Sequence, residues 1–398
     1  MNSLTFRITT ALLTFLIGIT VATAWVFNTH QPVIDPVNVT TSPKPGSSST
    51  LEMVFVLDTT GSMGGLLEGA KQRIWGIVND VMQTESRPSV RIGLVAYRDR
   101  GDQYVTQVLP LTDDLDKVYS VLMNYQAGGG GDTEEDVRRA LAEGVDRAGW
   151  SARSESVAQI LFLVGDAPPH EDYADVPDTV TSAAQAVEKG MIVNTIQCGN
   201  MPGTRGVWEA IARRGNGQYF SIAQDGGVQT IATPYDEQLS QLATKLGGTF
   251  VAYGGGAGKD GEHYRAAVRT AAGEAETTVA DAAPSVAKAE RALNKAVNRQ
   301  AYIGDLMQSI ENGSAQIDKL KEEDLPEDLR SLDPQLRTQE IEKRLGERRA
   351  LRAQIMSLSK QRAEFIAAER KKTGAKDNGF DVAVSAALKE QLKRKGIK

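Results

Sequence analysis

With one cysteine, Cys198, in 398 residues, the chain can build neither an internal disulfide framework nor a cysteine-based zinc site, so the fold has to stand on its core. Excess charge of one sign is also missing. Forty-five basic against 51 acidic side chains leave a net charge of -6, without the basic excess that nucleic-acid binding calls for. Histidine occurs three times, and no GxSxG nucleophile elbow is present, so a serine hydrolase lacks its usual frame. No repeat of solenoid length was found. What remains is an ordinary globular composition, 41% apolar and 24% charged, in a chain long enough for one large domain and an accessory region.

Long uncharged runs are scarce too, and the one exception is informative. From Ile8 to Thr29 there are 22 residues without a charge, rich in Leu, Ile, Val, Ala and Phe, behind the single basic Arg7. Residues 1–31 therefore read as a signal peptide, with Ala22, Thr23 and Ala24 as a cleavage pattern, or as a retained transmembrane helix with Trp25 at the interface. Either places the rest outside the cytoplasm, anchored to the inner membrane or periplasmic. No cysteine stands behind the run to carry a lipoprotein anchor. Residues 32–50, mixed in Pro, Ser, Thr and Gly, read as a linker.

From Leu51 the pattern changes. LEMVFVL is a short apolar strand, DTTGSMGG a turn, and helical spacing follows through Leu66, Ile74, Ile77, Val78 and Val81. Further strands are expected at Val90–Tyr97, Tyr104–Leu109, Val157–Val164, Met191–Gln197 and Gln218–Ile222, mostly with helices between them. This alternation predicts an α/β fold: a doubly wound, mainly parallel sheet with one antiparallel edge strand over residues 51–253. Residues 254–283 read as a Gly/Ala-rich joint. Residues 284–398 are rich in helix formers and read as an α-helical hairpin region, with helices near Ser285–Glu311 and Gln335–Lys372 around an acidic, proline-bearing break. Leu351, Ile355, Leu358 and Phe365 approach coiled-coil spacing, interrupted by Arg362. The charges of these helices read as solvated faces, and the basic tail from Lys389 as frayed.

The residues that carry chemistry lie at strand ends, where ligand loops gather in such sheets. Asp58, Thr60 and Ser62 in VFVLDTTGSM offer a carboxylate and two hydroxyls at alternating positions. Thr133 sits in the glycine-rich AGGGGDTEED, and Asp166 ends the apolar LFLVGD. Hard oxygen donors of this kind suit Mg²⁺, with Mn²⁺ or Ca²⁺ as alternatives, and leave a coordination position open. Singly, each is equally a helix cap; jointly they point to a metal. Glu134, Glu135 and Asp136 read as favourable charges on a helix start, and His170 as a rim residue. YGGGAGKDGE fails the phosphate-loop pattern at Tyr253 and Asp260.

Through Asp58-x-Thr60-x-Ser62, Thr133 and Asp166, in that order, residues 51 to about 250 resemble the von Willebrand factor A family and its metal ion-dependent adhesion site. Thr60 stands where the family has Ser and keeps the hydroxyl. GGDTEED and GDAPPHEDY, with the helical extension, look like an exported bacterial group of that family. The resemblance implies that the hydroxyls and Thr133 touch the metal directly, the two aspartates partly through water, and that an acidic residue of a protein partner completes the shell, with Thr133 moving onto the metal as it binds. The expected function is therefore non-enzymatic, metal-dependent protein binding outside the cytoplasm. The alternatives are a scaffold acting through the C-terminal helices and, third, a metal-assisted hydrolase.

Overall fold

The computed structural model describes residues 49–84, 88–228, 230–298, 300–373 and 379–397. The expected signal or anchor segment, residues 1–31, lies outside them, as does nearly all of the linker at 32–50. Among the described residues no helix is long and apolar enough to cross a membrane.

Six strands form one sheet: β1 Thr50–Asp58, β2 Ser89–Tyr97, β3 Thr106–Thr112, β4 Val157–Gly165, β5 Ile192–Cys198 and β6 Asn216–Ile222, in the order β3-β2-β1-β4-β5-β6. Every pairing is parallel except β2 with β3, the antiparallel edge expected from their short connection. The helices are α1 Gly64–Met82, α2 Leu115–Asn124, α3 Val137–Asp146, α4 Thr179–Glu188, α5 Thr204–Arg214 and α6 Asp236–Gly247, then α7 Gly258–Ala282, α8 Ser285–Val297, α9 Leu306–Glu311, α10 Glu327–Arg330, α11 Pro334–Thr373 and α12 Phe380–Arg394.

Strand alternation sorts the core into two layers. Leu51, Met53, Phe55 and Leu57 of β1 pack with α1, α2 and α12, while Val54 and Val56 pack with α3, α4 and α5. Because β1 and β4 lie at the centre, buried on both faces, they are almost continuously apolar.

The C-terminal region differs from its reading in three respects. First, α7 occupies the stretch read as a flexible joint: its glycines are outnumbered by Ala, Glu and Thr, and Val279 and Ala283 reach the main core. Second, the basic tail is not frayed. Phe380, Val384, Ala387, Leu388 and Leu392 fall on one stripe of α12 and enter the sheet core, followed by Ile397. Phe380 sits 5.9 Å from Phe55, and Asn194 of β5 exchanges two hydrogen bonds with Gln391, at 3.1 and 2.6 Å, with both side chains fully buried.

Third, several charges read as solvated are buried and paired. Arg362 donates to Asp236 of α6 at 2.7 Å and to Glu290 of α8 at 2.8 Å; Arg348 pairs with Asp305. Arg291 of α8 grips both oxygens of Asp116 at 2.7 and 2.8 Å, and Lys295 reaches it at 2.6 Å. Burial alone would raise the Asp116 carboxyl, but Lys295 and Arg291 outweigh it and hold the group well below the usual carboxylate range. A carboxylate depressed in the folded state stabilises it above the unfolded value near 4 and loses that contribution as pH falls further. Equilibrium unfolding at pH 3 should therefore show about 1 kcal/mol less stability than at pH 6 from this group, a difference that Asp116→Asn abolishes.

Candidate metal centre

Asp58 ends β1 and is fully buried. The chain then turns into a short helical segment, Gly61–Met63, that leads into α1. The amide and hydroxyl of Thr60 both donate to Asp58 Oδ1, at 2.8 and 2.6 Å, and Ser62 Oγ lies 3.5 Å from Thr60 Oγ1. Sequence alternation thus gathers the three side chains, as expected. The other carboxylate oxygen, Asp58 Oδ2, is buried with no hydrogen-bond partner among the described residues. Burial, together with the nearby Asp166, pushes the Asp58 carboxyl up to about 7.

Asp166 follows Gly165, the last residue of β4. A Cβ at position 165 would stand 2.4 Å from the Tyr97 hydroxyl and 3.1 Å from Asp58 Oδ2, so glycine lets the two aspartates come together. Asp166 is itself held: Gln224 Nε2 donates to its Oδ2 at 2.6 Å, and the Thr204 hydroxyl to its backbone carbonyl at 3.1 Å. Gly165→Ala is expected to lower stability by about 1 to 3 kcal/mol through overpacking and to weaken divalent-cation binding with it. Denaturant unfolding and a Mg²⁺ titration check both; unchanged stability would mean that Tyr97 swings aside.

The glycine-rich loop closes over this turn. Gly61 donates to Gly129 O at 3.3 Å, Gly128 donates to Thr59 O at 3.1 Å, and the Arg98 guanidinium bonds both Thr59 O and Gln126 O. Gly129 has φ of +80°, and a Cβ there would stand 2.4 Å from the Asp102 carboxyl, so position 129 requires glycine twice over.

Beyond it, Thr133 is exposed, and no hydrogen bond joins it to Asp58, Thr60 or Ser62 among the described residues. The loop instead carries Glu135 into the site. Its backbone is clipped to Pro168 and His170, and its side chain is buried with Oε2 unpartnered. Burial, then Asp58, Asp99, Asp102 and Asp166, push its carboxyl up to about 9. Glu135 was read as a helix-start charge, and that reading is corrected: α3 begins at Val137, and Asp136 caps it by accepting from the Arg139 amide at 3.0 Å. The sequence signal for Glu135 was weak, since burial came from the loop folding back on residues 168–170.

The donor set fits a hard divalent cation. All candidate ligand atoms are oxygens, the buried carboxylate oxygens Asp58 Oδ2 and Glu135 Oε2 lack partners among the described residues, and the buried carboxyls crowd one another, a repulsion that a bound cation would relieve. The residues that would hold it are Asp58, Thr60, Ser62 and Asp166.

Comparison with known proteins bears on the fold. An ariadne-like RING finger protein of Acanthamoeba polyphaga mimivirus is 27% identical over 124 residues, which are 31% of this chain and 12% of that protein, so the chain spans a small part of this relative. Among solved structures, BatB from Bacteroides thetaiotaomicron (18% identity, TM-score 0.33) is covered to 91% by 44% of this chain. An aerotolerance-related membrane protein from Bacteroides fragilis (18%, 0.31) is covered to 93% by 45% of it. Proximal thread matrix protein 1 from mussel byssus (13%, 0.35) is covered to 43% by 45%. Residues 52–234 match the sequence model of the von Willebrand factor A domain, and the six-stranded, mainly parallel sheet with one antiparallel edge and interleaved helices is an α/β fold like that of this domain.

Proposed function

We propose that the sheet domain is a divalent-cation-dependent protein-binding module, in which Asp58, Thr60, Ser62 and Asp166 hold Mg²⁺ or Mn²⁺ and an acidic side chain of a partner completes the shell. The observation that carries this reading is the buried, unpartnered Asp58 Oδ2 at the centre of a carboxylate and hydroxyl cluster. A match to von Willebrand factor A domains, which often bind a divalent metal, supports it. In this reading the chain's own residues bind and orient: Thr60 fixes the Asp58 carboxylate, Gln224 fixes Asp166, and Arg98 holds the glycine-rich loop in place. Thr133, exposed in the present state, moves onto the metal when the partner's carboxylate arrives. The cation supplies a charged anchor for that carboxylate, and no catalytic step is assigned to it.

The uncharged N-terminal run, which reads as a signal peptide or an anchor, supports a location outside the cytoplasm, tethered or released. Capture from envelope extract by the chain from residue 32 onward tests the reading. A partner should be retained in Mg²⁺ and lost in chelator and in Asp58→Ala. Capture indifferent to both would move the contact to the helical region.

A further inference from the structure

Next to the oxygen cluster the fold assembles a group of different chemistry. Asp99 comes from the turn after β2, Asp132 from the glycine-rich loop, and His170 from the segment after β4. One ligand atom of each lies within 4.8 Å of the others. His170 Nε2 stands 3.6 Å from Asp99 Oδ2 and 3.4 Å from Asp132 Oδ2.

At these distances a protonated His170 makes ion-pair contacts with both carboxylates but no aligned hydrogen bond. Nε2 is buried yet makes no hydrogen bond among the described residues, and neither does Asp99 Oδ1, although the Asp99 side chain is more than nine-tenths buried. Three groups converge on one point in ion-pair contact, with no hydrogen bond between them among the described residues. Zinc bonds of about 2.0 to 2.2 Å to nitrogen and oxygen would place neighbouring tetrahedral ligands roughly 3.3 Å apart, close to the two separations seen.

The surroundings are those of a metal-binding histidine. Nδ1 lies 3.0 Å from Asp172 Oδ1, and donation there leaves the Nε2 lone pair turned toward the two carboxylates. Tyr173 stacks on the imidazole at 4.2 Å and donates its hydroxyl to Asp99 Oδ2 at 3.1 Å, so one residue orients two ligands. Asp102 accepts from the Asp99 and Gly130 amides, tying the turn to the glycine-rich loop. The Arg100 guanidinium over Tyr173 is engaged by Asp136 and Asp175. Asp132 is exposed, which leaves the group open to solvent.

We propose that Asp99, Asp132 and His170 form a second cation site, for a borderline divalent metal of the zinc type, separate from the oxygen cluster at Asp58. A nitrogen donor with two carboxylates suits zinc and cobalt better than Mg²⁺. The site joins three loops by one ion and fixes the loop that bears Thr133, a consequence that rests on the reading of Thr133 above; the binding itself does not.

Titration of the full-length chain with Co²⁺, read by visible absorption, and with Zn²⁺ in competition, tests it. The wild type and Asp58→Ala should both give the intense band of a low-coordinate, nitrogen-bearing Co²⁺ site. His170→Ala should lose the band and bind Zn²⁺ at least tenfold more weakly. Asp132→Asn, at an exposed position, should show the same weakening with an unchanged circular dichroism spectrum. Equal spectra and equal Zn²⁺ affinity in wild type, His170→Ala and Asp132→Asn would overturn the proposal. Loss of the band in Asp58→Ala together with its retention in His170→Ala would do so too, since the metal would then belong to the oxygen cluster.

Discussion

A chain cut after Tyr253 is expected to collapse into an aggregating or molten state, although it keeps all six strands. The reason is the place of α12. Phe380, Val384, Ala387, Leu388 and Leu392 are each at most 4% exposed and cover the same sheet face as α1. Fully burying a large aliphatic or aromatic side chain is worth about 1.5 to 3 kcal/mol, so losing this stripe removes roughly 8 kcal/mol. Domains are typically stable by only about 5 to 15 kcal/mol. The cut would also strip Gln391 from the buried Asn194 and Glu290 from Arg73 and Asn79 of α1, leaving buried polar groups without partners. Circular dichroism and size exclusion of the truncated chain check this. A monomeric, cooperatively unfolding product would show that the sheet domain closes without its C-terminal helices.

Asp58→Asn should have opposite effects on stability with and without metal. In chelator the substitution removes a charge that burial, and to a lesser degree Asp166, disfavours, and the variant should be more stable than the wild type by about 1 to 3 kcal/mol. In Mg²⁺ at a hundredfold excess over its dissociation constant, the wild type should gain about 2.7 kcal/mol by mass action and the variant almost none. Thermal unfolding of both proteins in the two buffers would show the order of melting temperatures reversing. An Asp58→Asn protein less stable than the wild type in chelator would mean that the carboxylate is satisfied within the protein.

The parts of the fold legible in the sequence are those governed by local pattern. β1 and β4 announce themselves as apolar runs ended by Asp58 and Gly165, and the short β2–β3 connection fixes the antiparallel edge. The DTTGS turn gives the three candidate ligands at its tip because alternation along an extended loop sets their direction. What the sequence concealed depends on contacts distant along the chain. The apolar stripe of α12 is present in the residues, but nothing local says that it docks on β1 and β5 more than 180 residues earlier. Arg362, read as a break in a coiled-coil seam, is a buried partner of Asp236 and Glu290. Glu135 and His170 look like surface charges until the segment after β4 folds against the glycine-rich loop, burying the first and half-burying the second. The glycines of α7 read as a joint because propensity weighs them alone, whereas Val279 and Ala283 anchor the helix in the core.

A cation held between Asp58 and Asp166 is the centre of the proposed function. Calorimetric titration with Mg²⁺ of the wild type, Asp58→Ala and Asp166→Ala addresses it most directly. One Mg²⁺ bound per wild-type chain, and at least tenfold weaker binding in each variant, is the predicted result. Equal Mg²⁺ binding by all three proteins would contradict it.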